Sequence, residues 1–252
     1  MIKGLYSAAS AMVMNAARQQ VLSHNIANLE TPGFKQILTS VEDFMQNQSV
    51  YSTAQNLTGP VDYIGQMGLG SQLGPEFIDY SQGPLMNTGN LLDFAIQGDG
   101  MFQVKTPNGN LYTRDGRFTR DANNTLVTVE GYQVLNSTGQ VIQLPTGDVG
   151  LAPDGTITVN GTTVTKLGFG VFTNPELELV HSQGNFFTGP AASTSKTVPQ
   201  VVQGYLESSN ANPTQLMTQL VEVSRSYEAA QKMVQNNDEL LGKTIASLGR
   251  IG

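Results

Sequence analysis

Apolar residues recur every three or four positions near the C-terminal end of this chain. Each step through Leu220, Val223, Tyr227, Ala230, Val234, Asn237, Leu241, Thr244 and Leu248 is three or four residues. That is the a/d spacing that keeps one face of a long helix against a neighbour. Asn212-Pro213 opens the segment as an N-cap followed by proline at the first helical position. The spacing predicts a helix from Pro213 to Leu248, about 54 Å long at 1.5 Å per residue.

The other end of the chain carries a matching pattern. Ile2, Leu5, Ala9, Met12, Ala16, Gln19, Ser23 and Ile26 keep the same rhythm. A second stripe, Met1, Leu5, Ala8, Met12, Leu22, Ile26 and Leu29, overlaps it and widens the apolar face. Thr31-Pro32-Gly33 ends this helix, because proline biases the residue before it towards an extended conformation. Pairing the two helices as a coiled coil hides part of each stripe. A two-helix hairpin still leaves the outer half of each stripe in water, so its stability has to come from neighbouring copies. The residues assigned to that assembly seam are Leu5, Met12, Ile26, Leu220, Val223, Tyr227, Val234, Leu241 and Leu248.

Between the ends the sequence is punctuated for strands. Met101 to Lys105 and Asn110 to Thr113 flank Thr106-Pro107-Asn108-Gly109, and Thr125 to Val129 and Tyr132 to Leu135 flank Glu130-Gly131. Thr156 to Val159 and Thr162 to Lys166 flank Asn160-Gly161, the strongest short hairpin signal. Short strands without intervening helices predict an antiparallel, sandwich or barrel-like domain. Residues 46 to 75 fit neither period and are expected as an extended arm or loop. The fold class is therefore α+β: paired terminal helices with a central all-β domain. The expected divisions are 1–36 with 206–252 (helical), 37–78 (linker or arm) and 79–205 (β-rich).

Composition narrows the function. The chain has 13 Lys+Arg against 20 Asp+Glu, a net charge of −7, which argues against nucleic acid as a partner. Having no cysteine and only two histidines excludes thiolate chemistry and disfavours a metal centre. Nothing is apolar for long enough to insert in a membrane. Gly68-Leu69-Gly70 with Gly74 lacks the G-x-G-x-x-G spacing, and Asp99-Gly100 and Asp115-Gly116 read as turn pairs rather than metal carboxylates. His24 has no Ser/Asp partner nearby in sequence. The expectation is a protein without catalytic residues, metal or cofactor. A secreted all-β enzyme or carbohydrate-binding module is the different-class alternative, weakened by the absence of tryptophan. After Lys3, Ser7, Ser10 and Asn15 interrupt any signal-peptide core, so if the chain leaves the cytoplasm it is expected to do so without a conventional cleaved signal.

Ser23 to Lys35, Leu92 to Val104, Tyr112 to Phe118 and the chain from Gln203 onward are four stretches that together resemble the bacterial flagellar rod and hook family. Ser23-His24-Asn25-Ile26-Ala27-Asn28-Leu29-Glu30-Thr31-Pro32-Gly33-Phe34-Lys35 is similar to that family's A-N-x-x-T-P-G-[FY]-K signature, carried here by Asn28, Thr31, Pro32, Gly33 and Phe34. Leu92 to Val104 resembles D-x-A-I-x-G-x-G-[FL]-F-x-V, with Met101-Phe102 at its aromatic pair. Tyr112-Thr113-Arg114-Asp115-Gly116-Arg117-Phe118, continuing to Leu126-Val127-Thr128, is the third stretch. The fourth runs from Gln203-Gly204-Tyr205-Leu206-Glu207-Ser208-Ser209-Asn210 through Ser224-Arg225-Ser226-Tyr227-Glu228, where the family has Gln-Arg-Ala-Tyr-Glu, to Asp238-Glu239-Leu240-Leu241. The resemblance implies a structural subunit that polymerises with copies of itself into a hollow drive shaft. It also implies adjoining rod and hook proteins and the flagellar export apparatus as partners, and the periplasm-spanning rod of the basal body as location. The long arm between Glu42 and Asp93 resembles that of the distal rod protein; a proximal rod or hook-type subunit is the alternative.

Overall fold

The computed structural model describes residues 2–51, 62–107, 109–190 and 199–248. It is a mixed helix and strand protein, with a helix at each end and antiparallel sheets between them. The chain separates into two units: Met1–Ile26, Ile37–Phe77 and Pro213–Gly252 form the first, and Ala27–Gln36 with Ile78–Asn212 the second.

In the first unit, α1 (Ile2–Ala27) and α3 (Pro213–Leu248) are the long helices. The inward set on α3 follows the expected stripe. Leu216, Val223 and Ala230 are buried, and Leu220, Tyr227, Val234, Asn237 and Leu241 are half-buried. Beyond Leu241 the stripe surfaces, with Thr244 and Ile245 exposed. On α1 the buried line is shifted by one residue from the first expected stripe. It runs through Ala8, Asn15 and Asn25, with Ala11, Arg18 and Leu22 half-buried between them, whereas Ala9, Ala16, Gln19 and Ser23 are exposed. Hydropathy alone points away from Asn25. Its amide nevertheless sits fully inside, because it closes a two-way bond with Ile37: Nδ2 donates to the Ile37 carbonyl at 2.7 Å and the Ile37 N–H donates to Oδ1 at 3.0 Å.

β1 (Ile37–Tyr51) and β2 (Asp62–Ile78) pair as a two-stranded ribbon. Much of the segment expected as an aperiodic arm is therefore strand, and its portion at 52–61 lies outside the described residues. Polar side chains blur a period of two but do not prevent pairing, since ladder bonds come from the backbone. Gly70 lets the ribbon approach α1: a Cβ there would lie 2.4 Å from Ser10 Oγ, which accepts a bond from the Ser71 N–H at 3.3 Å.

The second unit is built on an eight-stranded sheet. Its strands are β5 (Met101–Thr106), β6 (Gly109–Thr113), β7 (Phe118–Arg120), β8 (Leu126–Thr128), β9 (Gln133–Val134), β13 (Phe169–Gly170), β14 (Val180–His181) and β15 (Phe186–Thr188). β5 pairs with β6 on one edge and with β13 and β9 on the other. A three-stranded sheet combines β10 (Val149–Leu151), β11 (Thr156–Val159) and β12 (Thr162–Lys166). Here Asn160 and Gly161 both take positive φ, 51° and 78°, as the hairpin signal requires. β3 (Leu85–Asn87) pairs with β17 (Tyr205–Glu207), and β4 (Phe94–Gln97) with β16 (Gln200–Gln203). The single short helix described in this unit is α2 (Pro175–Glu178). The main core gathers Phe94, Phe102, Phe118, Leu126, Ile142, Leu144 and Ile157, with Phe102 edge-on to Phe118 at 5.1 Å.

Candidate functional site

Two features of the fold bear on function: the faces of the long helices, and a buried ion cluster within the second unit. Leu5, Met12 and Ile26 are half-buried and flank the buried line of α1, and Val223 is the most enclosed of the α3 seam residues. Leu220, Tyr227, Val234 and Leu241 are half-buried; the side chain of Leu248 lies outside the described residues. The opposite faces carry apolar groups in the open. On α1 these are Tyr6 and Val13, two turns apart and about 70% exposed (69% and 72%). On α3, away from the inward stripe, they are Met217, Val221, Met233 and Leu240, each at least half exposed. No described helix is long and apolar enough to cross a membrane.

The signature residues after α1 belong to the second unit. Thr31 closes a turn on Asn28, its N–H donating to the Asn28 carbonyl at 3.2 Å and its hydroxyl to Asn28 Oδ1 at 3.1 Å. The Pro32 carbonyl accepts from Asn185 Nδ2 at 2.6 Å. Gly33 takes φ +70°, and a Cβ there would stand 2.5 Å from the backbone of Arg114 and Asp115. Phe34 and Lys35 follow, both buried.

Lys35 leads into the ion cluster. Its Nζ meets Glu207 Oε1 at 2.7 Å, and Arg114 Nε meets Glu207 Oε2 at 2.5 Å, with all three side chains at most 5% exposed. Backbone groups add further bonds. Lys35 donates to the Ser81 carbonyl at 2.6 Å, and the Gly83 N–H donates to Glu207 Oε1 at 3.0 Å. The Arg114 guanidinium donates to the Gly98 carbonyl at 2.6 Å, to the Ile96 carbonyl at 3.3 Å and to the Gly100 carbonyl. Burial pushes the Lys35 ammonium below the usual lysine range against the opposing pull of Glu207. A buried cluster of this kind is strongly disturbed by losing one member, which leaves the others without their charge partner.

Hydropathy pattern missed these three residues, because an ion pair leaves no periodic trace. The signal lay elsewhere: with charged residues only 13% of the chain, Lys35, Arg114 and Glu207 each fall inside a different one of the four family-like stretches. Asn210, three residues after Glu207, adds a neutral counterpart. Its Oδ1 accepts from the Gln36 N–H at 2.8 Å, and its Nδ2 donates to the Asp79 carbonyl at 2.8 Å and the Ser81 carbonyl at 3.2 Å. A cavity of about 200 Å³ adjoins the cluster, lined by Lys35, Tyr80, Gly98, Asp99, Arg114 and Phe172 among others. Among the described residues no group of His, Cys, Asp and Glu is placed to hold a metal ion.

Three family descriptions match the chain in order. "Flagella basal body rod protein" matches residues 5–35, "Flagellar hook protein FlgE/F/G D1 domain" matches 95–166, and "Flagellar basal body rod FlgEFG protein C-terminal" matches 202–248. The chain is 35% identical over 257 residues to the flagellar basal-body rod protein FlgF of Rhizobium meliloti, covering 98% of both chains. It is 33% identical over 262 residues to FlgF of Caulobacter vibrioides, covering 100% of both, and 30% identical over 260 residues to FlgG of Bacillus subtilis, covering 97% of this chain and 98% of that one. The matched segments contain α1, most of the eight-stranded sheet and α3, and the chain belongs to the flagellar basal-body rod protein family.

Proposed function

We propose that this chain is a structural subunit of the flagellar rod, in which copies of α1 and α3 pair and pack into a helical polymer. The observation that carries the reading is the two-sidedness of the long helices: one face is filled within the chain, while Tyr6, Val13, Met233 and Leu240 stand in water on others. Exposed apolar groups along two helices of one unit offer more than one further contact, which is what a polymer needs. Within the subunit, α1 and α3 run antiparallel as a coiled coil, so that residues 1–36 with 206–252 act as the tube-forming part. Residues 37–78 act as an arm and 79–205 as a β-rich part. The partners are further copies, adjoining rod and hook proteins, and the flagellar export apparatus, which handles the chain without a cleaved signal. The role needs no catalytic group, and the location is the rod of the basal body. The long β1–β2 ribbon supports the distal segment of the rod; relatives named FlgF and FlgG match to similar extents.

Leu241→Asp tests the seam. It puts a carboxylate where the helix is half-buried, costing several kcal/mol per copy unless it protonates (about 2–5), and the defect recurs at every added subunit. Thr163→Ala, on the exposed strand β12, changes stability by no more than about 0.5 kcal/mol. Motility should be lost with the first variant and kept with the second. Normal swimming and rod formation with Leu241→Asp would remove the C-terminal stripe as an assembly surface.

A further inference from the structure

We propose that Glu207 and Asn210 are positioning residues for assembly: they tie the segment leaving α1 to the segment entering α3, fixing both helix roots before a second copy is met. The consequence for assembly rests on the rod-subunit reading, whereas the tie itself is a property of the isolated chain.

Three stretches of chain meet at these two side chains. Residues 33–36 arrive from α1, residues 79–83 follow β2, and residues 207–210 lead to α3. The Glu207 carboxylate takes Lys35 from the first stretch and the Gly83 N–H from the second, and Arg114 anchors it to the sheet. The Asn210 amide repeats the pattern one turn of chain later, accepting from Gln36 and donating to Asp79 and Ser81. Backbone bonds complete the weave: Gly33 N–H to the Glu207 carbonyl at 2.7 Å, Asp79 N–H to the Gln36 carbonyl at 2.9 Å, and Ser208 N–H to the Pro84 carbonyl at 2.9 Å. Gly83 permits the crossing, since a Cβ there would stand 2.1 Å from the Ser208 carbonyl oxygen.

The apolar clusters of the second unit are assembled elsewhere. The buried members of both lie between Phe94 and Val201, with none from 27–36 or 204–212. The sheet core therefore has its own source of cohesion. The helix roots are joined to each other by polar links between residues more than 120 positions apart in sequence, beside the buried side chains of Phe34, Leu206 and Ala211. Such links define where the two ends of the unit lie with respect to each other, and their loss should free the roots before it melts the core.

Amide hydrogen exchange on the full-length monomer separates these roles. Glu207→Gln keeps the shape but leaves Lys35 and Arg114 without their carboxylate. Asn210→Asp keeps the shape but turns an acceptor towards the Asp79 and Ser81 carbonyls. In each variant the Gly33 and Gln36 amides should exchange about tenfold faster or more, while core amides such as Leu135 and Ile142 keep their rates. Both variants should also reduce rod formation and motility. Should Glu207→Gln fail to fold, Lys35→Met preserves the Arg114–Glu207 pair and should release Gly33 and Gln36 alone. Root amides that keep wild-type protection in the folded variants would overturn the proposal, as would core amides that accelerate in step with the roots. Loosened roots with normal motility would overturn the assembly role alone, leaving the rod reading to stand or fall on Leu241→Asp.

Discussion

Two glycines with nearly the same φ separate conformational strain from packing at the scale of single residues. Gly33 has φ +70° and Gly89 has φ +71°, but a Cβ on Gly89 meets nothing within 4 Å while one on Gly33 meets the backbone of Arg114 and Asp115 at 2.5 Å. Gly89→Ala should cost about 1–2 kcal/mol, the ordinary penalty for an L-residue in the left-handed region. Gly33→Ala adds a collision that no side-chain rotation relieves, and should cost on the order of 3 kcal/mol or more. Urea unfolding of the two variants checks this; equal losses would mean that the 33–36 segment is loosely seated. Gly116 illustrates a different need. It reads in sequence as half of an Asp-Gly turn, yet it does not take positive φ, and its missing Cβ makes room for the Phe94 carbonyl oxygen. The identity of such glycines was legible in the sequence, but the neighbour each one accommodates was not.

At the scale of elements, α3 shows how far periodicity can be trusted. Its inward residues from Leu220 to Leu241 are those that a three-four count selects, because an uninterrupted helix presents one face at that period. On α1 the first stripe lands one residue off at Ala9, Ala16, Gln19 and Ser23, while Ala8 and Leu22 of the overlapping stripe turn inward. Hydropathy gave Asn15 and Asn25 no weight, and satisfied polar groups can occupy an interior line. The outer face of α3 gives an independent test of assembly. Met233 is 58% exposed, so Met233→Asp should leave the melting of the monomer within about 0.5 kcal/mol of wild type. It should nevertheless slow or block polymer formation in concentrated protein, as followed by light scattering. Unimpaired polymerisation would move the contact surface to another face of the helix.

For the whole molecule, the second unit is discontinuous: it draws Ala27–Gln36 from one side of the ribbon and Ile78–Asn212 from the other. A fragment of residues 78–212 alone would leave Glu207 without Lys35 and expose the site that Phe34 and Gly33 fill. Joining residues 27–36 to 78–212 through a short Gly/Ser loop restores them, since the Asp79 N–H already bonds the Gln36 carbonyl. The joined chain should be more stable than 78–212 by about 3–5 kcal/mol, the usual cost of breaking a buried ion pair. Chemical denaturation of the two fragments measures the difference. Identical midpoints would show that the N-terminal signature adds nothing to the unit that encloses it.

Spacing and turn residues were enough to place the long terminal helices, the hairpin at Asn160-Gly161 and the pairing of Met101–Thr106 with Gly109–Thr113, and to carry the family resemblance. All of these depend on local spacing or turn chemistry, in which each residue's neighbours along the chain supply the constraint. The pairing of residues 37–51 with 62–78 as a ribbon and the inside position of Asn25 became visible with the folded chain. Folding also brought Lys35 and Glu207, 172 residues apart, to 2.7 Å. The physical reason is common to these cases. Strand pairing, polar burial and charge pairing are satisfied by whichever distant group the fold delivers, and a charged or amide side chain carries no mark of its partner until the chain has closed around it.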